Sequence, residues 1–151
     1  MKILLSPSKT KVLHGTPKEA VFHEPTTKAI VAHIQSLDEA AFAKALKLKG
    51  DKGNEWYSFY QAFHTMPVGA AVESYSGLAF KNLDWAGLSG EAKDFGCHHL
   101  CILSALYGLV LPMSAITGYR LDFIDTIYKG HNTSLYELWA DRVNKALEGE
   151  D

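Results

Sequence analysis

Cysteine and arginine are both scarce in this chain, with two of each in 151 residues. Two cysteines, Cys97 and Cys101, cannot build the multi-bridge framework of a small secreted scaffold, and both read as free thiols. No apolar run approaches the roughly 18 residues that a membrane-spanning helix needs. The opening Met1-Lys2-Ile3-Leu4-Leu5 is too short an apolar run for a signal peptide and lacks a small-residue cleavage site. These absences predict a cytoplasmic protein with no membrane partner. Charge of one sign is not in excess either: 15 basic residues stand against 17 acidic ones, a net charge of -2. That balance excludes a strong non-specific nucleic-acid binder of the polybasic kind. Repeats, low-complexity tracts and a glycine-rich phosphate loop are also missing.

What is present suits one folded domain over residues 1–151. Hydrophobic residues make up 47% and charged residues 21%, ordinary values for a globular chain. A chain this long buries roughly two-thirds of its unfolded surface. Charge is unevenly placed: residues 1–52 carry nine lysines against five acids, and residues 53–151 carry six basic residues against twelve acids. An anionic ligand is steered toward the N-terminal third, unless those lysines are simply solvated helix faces.

Hydrophobic spacing predicts helices interleaved with short strands, a mixed α/β (α+β) fold. Residues 2–5 read as a short buried strand ended by Ser6-Pro7, and residues 8–24 as an irregular polar segment. A first helix starts at Pro25-Thr26-Thr27 and buries Ile30, Val31, Ile34 and Leu37. Asp38 caps a second helix that ends at Gly50, and a third runs over residues 51–63 with Trp56, Phe59, Tyr60 and Phe63 on one stripe. Residues 67–72 read as a strand of small residues. Ser89 caps a helix to about His98, residues 100–105 form the next strand, and Ser134 caps the last helix. Its apolar face is Leu135, Leu138, Trp139, Val143 and Leu147, followed by a frayed acidic end at residues 148–151.

Five places carry chemistry. Ser6-Pro7-Ser8-Lys9-Thr10 follows the first strand, and strand C-termini are where ligands bind in α/β sheets. Its hydroxyls, free N–H groups and lysine suit a phosphate or carboxylate; a capped polar turn is the other reading. Glu73-Ser74-Tyr75-Ser76-Gly77 offers a carboxylate, a phenol and a hydroxyl for acid–base work, or a turn closed by Gly77 with Tyr75 half-buried. Residues 100–121 set Ser104, Tyr107, Tyr119 and Arg120 on an apolar scaffold. Arg120 either grips a phosphate with two parallel hydrogen bonds or pairs with Asp122 or Asp125. Cys97-His98-His99-Leu100-Cys101 holds metal-ligating residue types at poor spacing, so neither a metal nor a cofactor is predicted. Gly87-Leu88-Ser89-Gly90 is either a DNA-binding hairpin between two helices or the plain cap of one helix.

Taken together and in order, several of these pieces resemble the YaaA family of bacterial peroxide-stress proteins. The resemblance lies in Leu5-Ser6-Pro7-Ser8-Lys9-Thr10, Tyr75-Ser76-Gly77-Leu78, His99-Leu100, Ile102-Leu103-Ser104, Leu106-Tyr107-Gly108, Pro112, Tyr119-Arg120-Leu121, and the late Leu135-Tyr136 with Trp139. It implies a cytoplasmic protein that limits peroxide damage by restraining free iron and the DNA lesions it promotes. It also implies the family's own mixed α/β fold, a helix-hairpin-helix element and a positively charged cleft, with no reaction attached. Three cations of the family pattern are neutral here, at Ala71, Cys101 and Leu111. Each lost phosphate contact weakens DNA binding and flattens its salt dependence. The family also continues well past this length, so the chain reads as a shortened member whose uncovered sheet edge invites self-association.

The expected site is therefore a cleft at the strand ends. Lys9 and Arg120 supply charge, and Ser6, Ser8, Thr10, Ser76 and Ser104 supply hydroxyls. Gly77 closes the turn, and Tyr75, Tyr107 and Tyr119 supply phenols or stacking surface. Its expected occupant is DNA or a nucleotide-like small molecule. The alternatives are an enzyme acting on such an anion, and a ligand-free remnant that folds or dimerises alone.

Overall fold

A computed structural model describes residues 1–148 of the chain. The acidic end expected at residues 148–151 lies, from residue 149 onward, outside the described residues. The fold is mixed α/β, with seven α-helices and five short strands among the described residues. Strand β1 (Ile3–Leu5) lies parallel to β3 (Leu100–Ser104), and β3 lies antiparallel to β4 (Gly108–Val110). A second, two-stranded sheet pairs β2 (Gly69–Ala70) with β5 (Ala115–Ile116).

Helices α1 (Glu24–Ser36), α2 (Glu39–Ala45) and α3 (Asp51–Gln61) form the N-terminal helical layer. The expected caps at Asp38, Ser89 and Ser134 all form, each accepting a backbone N–H three residues on. They start α2, α6 (Gly90–His99) and α7 (Leu135–Leu147). The core is one cluster in which Ile30, Val31 and Ile34 of α1 meet Ile102 of β3 and Trp139 of α7. Trp139 donates its indole N–H to the Ala105 carbonyl at 2.8 Å. Its ring lies over Gly108, which takes φ +77° in the β3–β4 turn. Glycine is needed there twice over: for the left-handed backbone, and because a Cβ would stand 2.5 Å from the indole.

Two expected strands differ from expectation. The first was expected to be buried, yet Ile3 and Leu4 are 41% and 48% exposed; β1 is one of the two edge strands of its sheet and pairs with β3 alone. Of residues 67–72, only Gly69–Ala70 is strand; the chain then turns into the four-residue helix α4 (Ala71–Ser74). The turn keeps its backbone groups bonded: the Ala71 and Val72 N–H groups reach the Ser114 and Pro112 carbonyls, and the Tyr75 N–H closes onto the Ala71 carbonyl. Residues 78–88, unassigned from sequence, hold α5 (Leu78–Leu83) and a 3-10 turn at Trp85–Gly87. No helix among the described residues is long and apolar enough to cross a membrane.

Candidate functional site

The parallel pairing of β1 and β3 sets Leu5 beside Ile102, so the turn leaving β1 starts next to the end of β3, where Ser104 sits. Beyond that turn the chain runs antiparallel to the 70s segment. Lys11 bridges to Tyr75, and the Val12 N–H bonds the Ser74 carbonyl at 2.8 Å. The two polar motifs found in sequence are thereby laced together. Ser8 Oγ donates to the Thr10 carbonyl at 2.6 Å and accepts the Ser76 N–H at 3.1 Å. Ser76 Oγ donates to Thr10 Oγ1 at 3.1 Å. Gly77 permits this approach, since a Cβ there would stand 2.6 Å from the Ser8 Cβ.

Under this turn lies a chain of buried hydroxyls. Tyr119 Oη is 2.8 Å from Ser104 Oγ and 2.7 Å from Tyr75 Oη. Ser104 Oγ accepts the N–H groups of Leu106 and Tyr107 at 3.3 and 3.1 Å. With both lone pairs engaged, Ser104 gives its one hydrogen to Tyr119, which in turn donates to Tyr75. The Tyr75 hydrogen is the end of this relay. Tyr107 stands edge-on to Tyr119 and bonds Thr117 through its phenol at 3.0 Å. Burial pushes the phenols of Tyr75, Tyr107 and Tyr119 up from their ordinary value. The three residues are 3%, 4% and 2% exposed, so they offer no face for a base to stack on, contrary to one expectation for them.

The cation of this cluster is Lys11, which sequence reasoning missed in favour of its neighbour Lys9. Lys11 Nζ donates to the carbonyls of Ser8 and Lys9 at 3.0 and 3.3 Å. It lies 4.2 Å from the centre of the Tyr119 ring and 5.5 Å from that of Tyr75. Burial lowers its ammonium from 10.5 to about 8. No carboxylate among the described residues pairs with it within 4.0 Å. Parity does not separate Lys9 from Lys11, which are two residues apart; only the pairing with the 70s segment, which sets Lys11 opposite Tyr75, does so.

The structure thus joins Ser8, Thr10, Tyr75, Ser76, Gly77, Ser104, Tyr107 and Tyr119 in one network. Ser6, Lys9 and Arg120 are exposed and stand outside it. The Arg120 carbonyl accepts the Tyr60 phenol at 2.5 Å, but its guanidinium makes no ion pair with Asp122 or Asp125 among the described residues. Glu73 is half-buried, its carboxylate folded over Gly15 rather than toward Lys11. At Gly87–Gly90, α5 and α6 flank the turn, Ser89 caps α6, and the Asp84 carboxylate lies over Gly87. His98 and His99 bond separate carbonyls, those of Asp94 and Met1, both at 2.7 Å. Neither cysteine forms a disulfide, and burial raises the Cys97 thiol, the opposite of what a peroxide-reactive thiolate needs. A separate shallow groove of about 200 Å³ lies beyond Tyr107, walled by Phe63, Met66 and Thr117.

Fold and cluster define a class: a mixed α/β domain with a hydroxyl-lined turn and a half-buried lysine at adjacent strand ends. The chain belongs to the family described as peroxide stress protein YaaA, whose model matches residues 1–151. It is 31% identical over 153 residues to a UPF0246 protein of Finegoldia magna, covering 100% of this chain and 61% of that protein. A UPF0246 protein of Malacoplasma penetrans is 32% identical over 154 residues, covering 98% of this chain and 62% of the relative. One from Crocosphaera subtropica is 29% identical over 154 residues, with 99% and 62% covered. The chain therefore spans about three-fifths of the length of the curated relatives it matches.

Proposed function

We propose that this chain acts in the cytoplasmic response to peroxide by binding a phosphate of DNA or of a nucleotide-like molecule at the turn over residues 8–11, and so limits iron-promoted damage. The observation that carries the reading is Lys11: a half-buried cation bonded to the carbonyls of Ser8 and Lys9, in the turn that Thr10 and Ser76 close, with no carboxylate partner among the described residues. A half-buried ammonium with no carboxylate partner is complementary to a phosphate oxygen. Lys9 and Arg120, exposed on either side in sequence, supply outer charge that draws the anion in. The test is a titration of single-stranded and duplex oligonucleotides at low and moderate salt. Salt-dependent binding that Lys11→Ala abolishes and Arg120→Ala weakens is expected. Absence of binding at micromolar protein in low salt refutes the reading.

The enzyme alternative draws support from one feature, the relay that ends on the Tyr75 hydrogen, which suits proton donation to a small bound anion. A thermal-shift screen with mononucleotides separates it: stabilisation by a nucleotide without oligonucleotide binding favours the small ligand.

A further inference from the structure

We propose that Lys11 is an amine nucleophile for aldehydes carried on phosphate-bearing molecules, condensing with them to an imine. The inference rests on the reading of the turn as a phosphate site and names what that site takes. Its warrant is the shell around Nζ. An ammonium needs three acceptors, and here it finds two carbonyls, those of Ser8 and Lys9, and the face of Tyr119. A neutral amine needs only two, and the same two carbonyls supply both. Losing the proton therefore costs no hydrogen bond, and no carboxylate holds the proton in place by counter-charge. Burial favours the neutral form as well, with the ammonium lowered to about 8, so a useful fraction of free amine exists near neutral pH. Most other lysines of the chain lie exposed on helix faces or loops.

The step balances without a redox partner. A small swing of the flexible four-carbon stem brings the nitrogen lone pair to the carbonyl carbon, and the C=O pair moves to oxygen, which takes up a proton. The resulting carbinolamine loses water as the C=N bond forms. The two amine hydrogens leave with the carbonyl oxygen as that water, solvent at the exposed side of the turn carrying the protons. The Thr10 hydroxyl, which accepts from Ser76 and keeps its own hydrogen, meets the phosphate end. Two sources present this chemistry: the ring-opened sugar at an abasic position in DNA, and a free sugar phosphate.

The experiment traps the imine with cyanoborohydride at pH 7, using the full chain and three probes. These are a single-stranded oligonucleotide with one abasic position, glyceraldehyde 3-phosphate, and propanal as a phosphate-free control. Peptide mapping by mass spectrometry is expected to place the label on Lys11 at least tenfold above any other lysine, from phosphate-bearing probes over propanal. Label from the oligonucleotide alone identifies the nucleic-acid source; label from both identifies the phosphate and aldehyde as sufficient. Lys11→Arg, with circular dichroism confirming its fold, is expected to lose the label, whereas Lys9→Arg keeps it. Label spread evenly over lysines, or equal labelling by propanal, overturns the inference. Intact binding without trapping overturns it and leaves the phosphate site standing, whereas no binding in any arm overturns the phosphate site itself.

Discussion

Replacing Lys11 by methionine tests the central feature of the site without any ligand. The substitution keeps a long unbranched stem and removes the buried charge. The unfolded chain holds the Lys11 proton up to about 10.5, whereas the folded chain releases it near 8. Between those values unfolding takes up a proton, so the stability of the parent protein rises with pH; below 8 the cost of burying the charge is felt in full. Linkage converts a drop of this size into roughly 3 kcal/mol, and water reaching the exposed part of the side chain screens it to about 1–2 kcal/mol. Loss of the bonds to the Ser8 and Lys9 carbonyls takes back about 0.5–1.5 kcal/mol, whereas the contact with the Tyr119 ring exists only for the ammonium and titrates with it. The quantity to measure is therefore the difference in stability between the two proteins by urea unfolding at pH 7, 8, 9 and 10. Lys11→Met is expected to be the more stable protein at pH 7, and its advantage shrinks by about 1–2 kcal/mol toward pH 10. A difference that stays flat with pH, or grows, refutes the burial argument, whatever its absolute size.

Above pH 10 both proteins lose stability, because Tyr60, Tyr75, Tyr107 and Tyr119 stay protonated when folded while their unfolded counterparts ionise; an alkaline melting series reads this out. Tyr119→Phe removes the link between Ser104 and Tyr75 and leaves buried hydroxyls unpaired, costing about 1–3 kcal/mol in denaturant unfolding. In a double-mutant cycle with Tyr75→Phe the losses are less than additive if the relay exists, and additive if it does not. Gly108→Ala forces a side chain into left-handed backbone and into the Trp139 ring, for about 2–4 kcal/mol and a quenched or shifted indole emission. Arg120→Ala changes stability by less than about 0.5 kcal/mol yet lowers the salt slope of oligonucleotide binding by about one.

Helix starts were legible because their causes are local. Asp38, Ser89 and Ser134 each cap within three residues, and no distant contact is needed to see it. The grouping of Ser8, Thr10, Tyr75, Ser76, Ser104 and Tyr119 was legible for a different reason. Each follows a short apolar run, and the ends of adjacent strands converge. What escaped was set by long-range packing. Lys11 looks like a solvated lysine among its neighbours, and its burial comes from Tyr75 and Tyr119, far along the chain. The exposure of Ile3 and Leu4 goes with β1 lying at a sheet edge, which apolar composition does not encode. The same composition misled at residues 67–72, where the chain leaves the strand after two residues and bonds the Ser114 and Pro112 carbonyls from a helical turn.

The resemblance expects cations at positions 71, 101 and 111, and the fold bears on the first two. Ala71 and Cys101 are 0% and 1% exposed, so a lysine or arginine at either place would have to find a path out of the interior or an anion within it. Ala71 lies one helical turn before Tyr75, whose N–H bonds the Ala71 carbonyl at 3.0 Å. Tyr75 in turn bridges to Lys11. On the proposed reading Lys11 brings positive charge from the segment that pairs with the 70s segment. A cation entering from the first polar turn needs no basic residue at 71 or 101, where Ala71 and Cys101 pack in the core. The proposed site therefore stands or falls with Lys11 rather than with Arg120, and the oligonucleotide titration of Lys11→Ala against Arg120→Ala decides between them.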